Sequence, residues 1–351
     1  MKKLLYFFPN ESPFVDADFE ILSKKYTVCS FNFKPRTKWH TPFSFVAQLI
    51  FILFRIFQTK IFFSQFSGYH TFLPSILSKI LNVPHYIVLN GTECNNFPEI
   101  DYGFLNRPVL FWFSKKSLQW STRLFPVSES LVSADYTYMP TKYVHQGFSN
   151  FYKPLNTPYT VIHNGISIDR FQFDPTIVRD KNSFITIASG LELQKRWLVK
   201  GLDLIIELAK VTPENTYTFV GTQKPIGISL PSNITVVDFV PHQELSTLYN
   251  RHRFYLQLSV SEGFGISVCE AMLCGCVPIV SDVGMLPFIV GRKGYVLQHK
   301  NLVLLENLVQ RAIKEFNTEN SIGYRQHILD HFPLSVRAEK LLDCLSRESK
   351  S

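Results

Sequence analysis

Two glutamates eight positions apart, Glu262 and Glu270, enclose the run Gly263-Phe264-Gly265-Ile266. Gly263 and Gly265 let main chain come close to a ligand, and a helix starting near Ile266 offers unpaired N–H groups and a positive dipole end to an anion. Such a turn is a seat for a diphosphate. Glu270 is the only charged residue between Glu262 and Asp282, on a helix that is otherwise nearly all apolar. Its carboxylate must find donors or carry a desolvation cost, and ribose hydroxyls would serve. At about 1.5 Å per helical residue the two carboxylates stand on the order of 10 Å apart, reaching different parts of one elongated ligand. The plainer alternative is that Glu262 caps a turn and Glu270 pairs with a neighbouring cation, and the spacing of two glutamates alone favours it.

His70, His85 and Glu93 are further candidates, on the acceptor side of a cleft. Each is expected at or near the carboxyl end of a strand, where open α/β sheets bind ligands, although each alone reads better as structural. Asp16-Ala17-Asp18 has the form of a metal-binding DxD, but no apolar strand leads into it and helix capping explains the pair better. No metal site is expected. The six cysteines show no metal-ligand spacing and several lie in apolar runs, as reduced buried thiols in a cytoplasmic setting do.

These groups need a frame to hold them. Short apolar runs alternate with helical stretches, which predicts βα units and parallel sheets. Strands are expected at 4–8, 26–33, 61–66, 85–90, 124–127 and 143–147, and then at 184–189, 217–221, 234–239, 254–260 and 277–281. Pro154, Pro158, Asn164-Gly165 and Pro175 place a linker between residues 150 and 174. With 351 residues, two domains follow: 1–160 for an acceptor and 161–351 for a donor, the last helix being a candidate to pack back on the first domain. A nicotinamide dehydrogenase is disfavoured, because no GxGxxG follows either first strand.

The formal charge of +8 is uneven: residues 1–160 hold 16 Lys/Arg against 9 Asp/Glu. A basic N-terminal half suits anionic lipid or nucleic acid, and the chain lacks zinc-finger spacing, basic-region heptads and RNA-binding strand motifs. An anionic membrane surface is therefore the expected partner, and nucleic acid is not. Residues 43–57 are the most apolar stretch, yet Arg55 and Lys60 interrupt it short of the roughly 20 residues that span a bilayer. The preferred reading is a helix buried on the N-terminal sheet; the sharper one is a surface helix that dips into a lipid interface. The expected location is cytoplasmic, peripheral at the inner face of the cell membrane.

The stretch from Glu262 through Gly263-Phe264-Gly265 to Glu270-Ala271-Met272, Gly275 and Pro278 resembles the donor site of group 1 (family 4) glycosyltransferases. Val161-Ile162-His163-Asn164-Gly165-Ile166, Arg170-Phe171, Ser189-Gly190, Arg196, Lys200-Gly201-Leu202-Asp203, Phe219-Val220-Gly221 and Phe239-Val240-Pro241 follow the same family's order. The resemblance covers residues 160–345 well and the first half loosely, through Asn90-Gly91-Thr92-Glu93 and Val127-Ser128-Glu129-Ser130. It implies a GT-B architecture, two Rossmann-like domains facing across a central cleft. It places Arg196 and Lys200 on the donor diphosphate, Glu270 on the ribose, and Glu262 with the Gly263–Gly265 backbone on the transferred sugar. Main chain at Val240 and Pro241 would read the base, a plain turn being nearly as good an account.

The implied reaction is retaining transfer from a nucleotide-diphosphate sugar to a glycan or lipid-linked saccharide, in cell-surface polysaccharide or lipopolysaccharide synthesis. It needs no metal or cofactor, and catalysis would be mostly electrostatic. The chain departs from many relatives in lacking a glycine-rich loop after the first strand. The rival readings are a non-catalytic protein of the same fold that binds a sugar nucleotide or glycan, and a nucleotide-sugar epimerase or hydrolase.

Overall fold

The computed structural model describes residues 2–188, 194–221, 229–291 and 294–347, with backbone alone at Lys38, Gln194, Lys195, Arg196 and Asn320. The first sheet is parallel and consists of β1 (Lys2–Phe8), β2 (Tyr26–Asn32), β3 (Thr59–Gln65), β4 (His85–Leu89) and β5 (Arg123–Pro126), in the order β2-β1-β3-β4-β5. Helices α1 (Pro13–Ser23), α2 (Thr41–Leu53), α3 (Tyr69–Leu81) and α4 (Pro108–Trp120) make the crossovers. Apolar side chains leave β1 on both faces, Leu4, Tyr6 and Phe8 into the main core and Leu5 and Phe7 into a second, smaller cluster with Ile52 and Phe62. That two-sided burial is what a parallel sheet covered by helices requires.

The expected strand at 143–147 does not join this sheet. Its middle forms β7 (His145–Gln146), antiparallel to β6 (Ala134–Asp135), and leads into α5 (Phe148–Phe151). The helix expected to be buried on the sheet is also corrected. Within α2 only Gln48 and Ile52 are buried, and Phe43, Val46, Ile50 and Leu53 face outward. The physical reason is the small size of the sheet face it covers, which Leu73 and Leu77 of α3 already share.

The second sheet is β8 (Asp180–Ile187), β9 (Thr216–Val220), β10 (Ile234–Val237), β11 (His252–Gln257), β12 (Val277–Ser281) and β13 (Tyr295–Leu297). Its order, β10-β9-β8-β11-β12-β13, is that of a doubly wound sheet with its switch point between β8 and β11. The helices here are α6 (Gln194–Lys200), α7 (Leu202–Val211), α8 (Leu245–Arg251), α9 (Ile266–Leu273), α10 (Leu286–Val290), α11 (Leu302–Lys314), α12 (Thr318–His331) and α13 (Leu334–Arg347).

The chain passes from the first sheet toward the second along β5, where Leu124 pairs with Tyr159, and returns beside its own outward path. Ile166 N–H donates to the Phe332 carbonyl at 2.9 Å, and Leu334 N–H to the Ile166 carbonyl at 3.0 Å. A Cβ on Gly165 would stand 2.6 Å from the Leu334 Cα, so this parallel crossing has room only for glycine. Beyond it α13 packs against α1, and Arg337 forms a buried ion pair with Asp18. The capping reading of Asp18 is therefore corrected: Ser12 is the N-cap of α1, while Asp18 sits mid-helix facing a guanidinium.

Candidate active site

Lys200, the last residue of α6, follows β8, and Glu262 follows β11, so the two lie at the carboxyl ends of the strands that flank the switch point. Val260 N–H donates to the Val199 carbonyl at 2.8 Å and ties the two segments together. Lys200 Nζ then reaches Glu262 Oε2 at 3.1 Å. The same oxygen accepts from Gln257 Nε2 at 2.9 Å, and Gln257 in turn donates to Ser259 Oγ. A half-exposed ammonium thus stands beside a carboxylate fixed by β11. Gly265 is the N-cap of α9, whose first residue is Ile266, so the positive end of that helix opens at the same loop.

Glu270 lies in α9 and is buried. His242 Nε2 meets its Oε1 at 2.7 Å, and Tyr249 O–H donates to Oε2 at 3.3 Å. The carboxylate beside Tyr249 and burial together push that phenol well above its ordinary range, burial being the larger cause. His242 comes directly after Val240 and Pro241, beyond β10. The carbonyl of Pro241 accepts from Glu244 N–H at 2.8 Å, which starts the turn that carries the histidine. Sequence reasoning named the two residues before His242 and missed the imidazole itself.

Across from this loop stand the carboxyl ends of the first sheet. A Cβ on Gly263 would overlap the carbonyl oxygen of Asn90, so backbone meets backbone here and glycine is the residue that permits it. Ser128 Oγ donates to the Gly263 carbonyl at 2.7 Å, and Asn95 Nδ2 to Ser261 Oγ at 3.1 Å. Phe264 is buried, its ring edge-on to Phe332 beside the crossing at 5.4 Å.

The three acceptor-side candidates separate. Glu93 follows β4 beside Asn90 and is buried; its Oε1 accepts from Asn90 N–H at 2.9 Å, while Oε2 has no partner among the described residues. Burial lifts its carboxyl to about 7. His70 is buried at the start of α3 with Nε2 at 2.8 Å from the Gln65 carbonyl oxygen, and burial lowers it to about 4. His85 is corrected outright. It opens β4 at the amino end, fully buried between the hydroxyls of Ser64 (2.8 Å) and Ser75 (3.0 Å), and burial brings it to about 3. It does not face the cleft. Arg196 lies in α6, but its side chain is outside the described residues, as are Ser189 and Gly190. Among the described residues no cluster of His, Cys, Asp or Glu is placed to hold a metal ion.

With this geometry in place, the sequence model of the family described as "Glycosyl transferases group 1" matches residues 196–327. The chain is similar to the GtfA subunit of the UDP-N-acetylglucosamine–peptide N-acetylglucosaminyltransferase of Streptococcus parasanguinis, 30% identical in an alignment of length 211 that covers 53% of this chain and 40% of that one. The matches reach less than half the length of the curated relatives. Among solved structures, sucrose-phosphate synthase from Thermosynechococcus elongatus superposes with a TM-score of 0.76 at 13% identity, covering 98% of each chain. HepE from Anabaena in complex with UDP and glucose gives 0.72 at 14%, covering 99% of this chain and 100% of that one. These structural likenesses establish the GT-B fold.

Proposed function

We propose that this chain, a group 1 glycosyltransferase in its C-terminal half and of GT-B fold throughout, transfers a sugar, with retention, from a nucleoside-diphosphate donor to a glycan or lipid-linked saccharide at an anionic membrane surface. The observation that carries the reading is the Lys200–Glu262 pair at the switch point of the second sheet, just before α9, the helix that holds the buried Glu270. A diphosphate in that position would draw Lys200 from Glu262 and free the carboxylate for sugar hydroxyls. Charge-assisted bonds of this kind are about twice as strong as neutral ones. Glu270, already held by His242 and Tyr249, would take ribose hydroxyls.

The leaving diphosphate would be stabilised by Lys200, Arg196 and the helix dipole, so the charge that develops is met by fixed groups. An acceptor hydroxyl would attack on the face that the diphosphate leaves, passing its proton to a phosphate oxygen. In this reading these cations replace a divalent metal, and chelation should leave the rate unchanged. Cell-surface polysaccharide synthesis suits such an acceptor, as does a cytoplasmic site at the membrane.

The testing experiment is a thermal-shift panel of nucleoside-diphosphate sugars, followed by a transfer assay with the stabilising donor. A bound donor raises the melting temperature by mass action. The expected result is one preferred donor whose shift is lost in Glu270→Gln and reduced in Lys200→Ala. A donor shift that survives both substitutions unchanged would put the site elsewhere.

A further inference from the structure

We infer that the outer face of α2, continued by the 3-10 turn at Ile56–Gln58 and edged by α4, docks the protein on a bilayer containing anionic phospholipid. This deepens the reading above by naming the face that meets the membrane; the docking itself does not depend on the transfer reaction. Phe43, Val46, Ile50, Leu53, Phe54 and Phe57 follow one another at helical spacing, and all are exposed. Phe43 is 72%, Phe54 83% and Phe57 96% accessible, and Trp39 just before the helix is 88% accessible. Soluble surfaces scatter single apolar residues; a row of this length on one helix marks an interaction site. The row is joined to α4 beneath it: Phe45 stacks on Phe113 at 5.7 Å, and the neighbouring Trp112 is again exposed.

What covers such a face is argued from charge. Residues 21–92 contain eight Lys/Arg and not one Asp/Glu. Lys34, Arg36 and Lys60 are exposed around α2, Arg55 lies over the Phe51 ring at 4.2 Å, and Lys116 reaches toward the Trp120 ring on α4. An apolar row in a segment that carries cations and no acid complements a surface with negative headgroups over hydrocarbon, and phenyl and indole rings are the side chains that settle at that depth. Among the described residues no helix is long and apolar enough to cross a membrane. The helix therefore lies in the interface, its cations at the headgroups and its aromatic row below them.

The test is sedimentation of the full-length chain with vesicles of phosphatidylcholine alone or mixed with phosphatidylglycerol, at low and high salt, with a vesicle-free control. The expected result is binding to the mixed vesicles only, weakened by salt, since screening acts on the cation term. Phe54→Glu with Phe57→Glu should lower apparent affinity at least about tenfold, as two apolar side chains no longer leave water. Lys34→Glu with Arg36→Glu should weaken binding while leaving the rings in place. All four side chains are exposed, and circular dichroism checks that the variants are folded. Wild-type protein left in the supernatant with both vesicle types would overturn the proposal. So would binding indifferent to lipid charge and salt, or vesicle-free association that the phenylalanine substitutions abolish, which would make the face a contact between copies of the chain. Thermal shift with the donor reports separately on the nucleotide site, so failure here leaves that reading intact.

Discussion

Arg337 and Asp18 lie 319 residues apart in the chain and form a two-pronged ion pair, Nε to Oδ1 at 2.7 Å and Nη2 to Oδ2 at 2.6 Å, shut away from water. Arg337 Nη1 also donates to the carbonyls of Ile162 and His163 in the crossing segment. From Asp18 the bonds continue: Gln65 Nε2 donates to its Oδ2, and Asn90 Nδ2 donates to Gln65 Oε1. The C-terminal helix is thus connected to the backbone that touches Gly263. Removing one partner leaves a buried charge uncompensated, so Arg337→Met should cost about 3 to 5 kcal/mol in denaturant unfolding. Combining it with Asp18→Asn should recover part of that loss. A cost near zero for the single change would mean that the pair is not held as described.

On the proposed reading Lys200→Ala should lower transfer efficiency about ten- to a hundredfold, the effect of losing one charged hydrogen bond to a reacting diphosphate. The ammonium is partly exposed, so melting temperature should move little. On the proposed reading His242→Ala should raise the KM for donor more than it lowers kcat, because the imidazole holds Glu270, the carboxylate assigned to the ribose. Steady-state kinetics distinguish the two patterns.

Gly263→Ala places a methyl group 1.9 Å from the Asn90 carbonyl oxygen, and neither backbone can yield as a side-chain tip would. The expected outcome is a protein that keeps its donor thermal shift but transfers at least about tenfold more slowly, since misplaced reactants lose much of the benefit of orientation. Transfer at the wild-type rate would show that this contact has no part in the reaction.

Glu93, with its carboxyl at about 7 against an ordinary 4.5, binds a proton more tightly folded than unfolded. The stability from that proton is fully present below pH 4.5 and is lost as pH rises through about 7. His70 and His85, lowered by burial, act in the opposite sense: their stability is present above 6.5 and lost as pH falls below it. Between pH 6.5 and about 8 the two effects oppose each other, and comparison with a variant lacking only the carboxyl removes the histidines' share. Across it, wild-type stability should decline by roughly 1 kcal/mol relative to Glu93→Gln. Parallel pH profiles of unfolding free energy for the two proteins would overturn the assignment.

The positions of these strands were legible because β1, β4, β11 and β12 are dense apolar runs bounded by polar turns. The turn and helix after β11 were legible because Gly263 and Gly265 break the apolar run just before it resumes at Ile266. What escaped depended on partners distant in sequence. Asp18 read as a cap because nothing near it announces Arg337. His85 read as a cleft residue although its expected strand begins with it, and the hydroxyls of Ser64 and Ser75 that hold it in the interior come from two other elements. The outward face of α2 could not be inferred from its composition, since hydropathy counts apolar side chains but not the sheet area available to cover them. His242 carried a weak signal only: a buried Glu270 demands donors, and a histidine in the turn after β10 was one of several that could supply them. The strand β13 is three residues long, too short for any periodicity to mark it.

The side-by-side crossing at Ile166 and Pro333 bears on how the chain could be recombined. A chimera that exchanged everything after residue 160 would import a foreign last helix and strand Asp18 without its arginine. Cutting at the two adjacent points of the crossing instead, and leaving α13 with the first sheet, transplants the second sheet and its helices as a cassette whose seams meet at one place. The unit of exchange in this architecture is a loop of chain inserted into a host, not a C-terminal half.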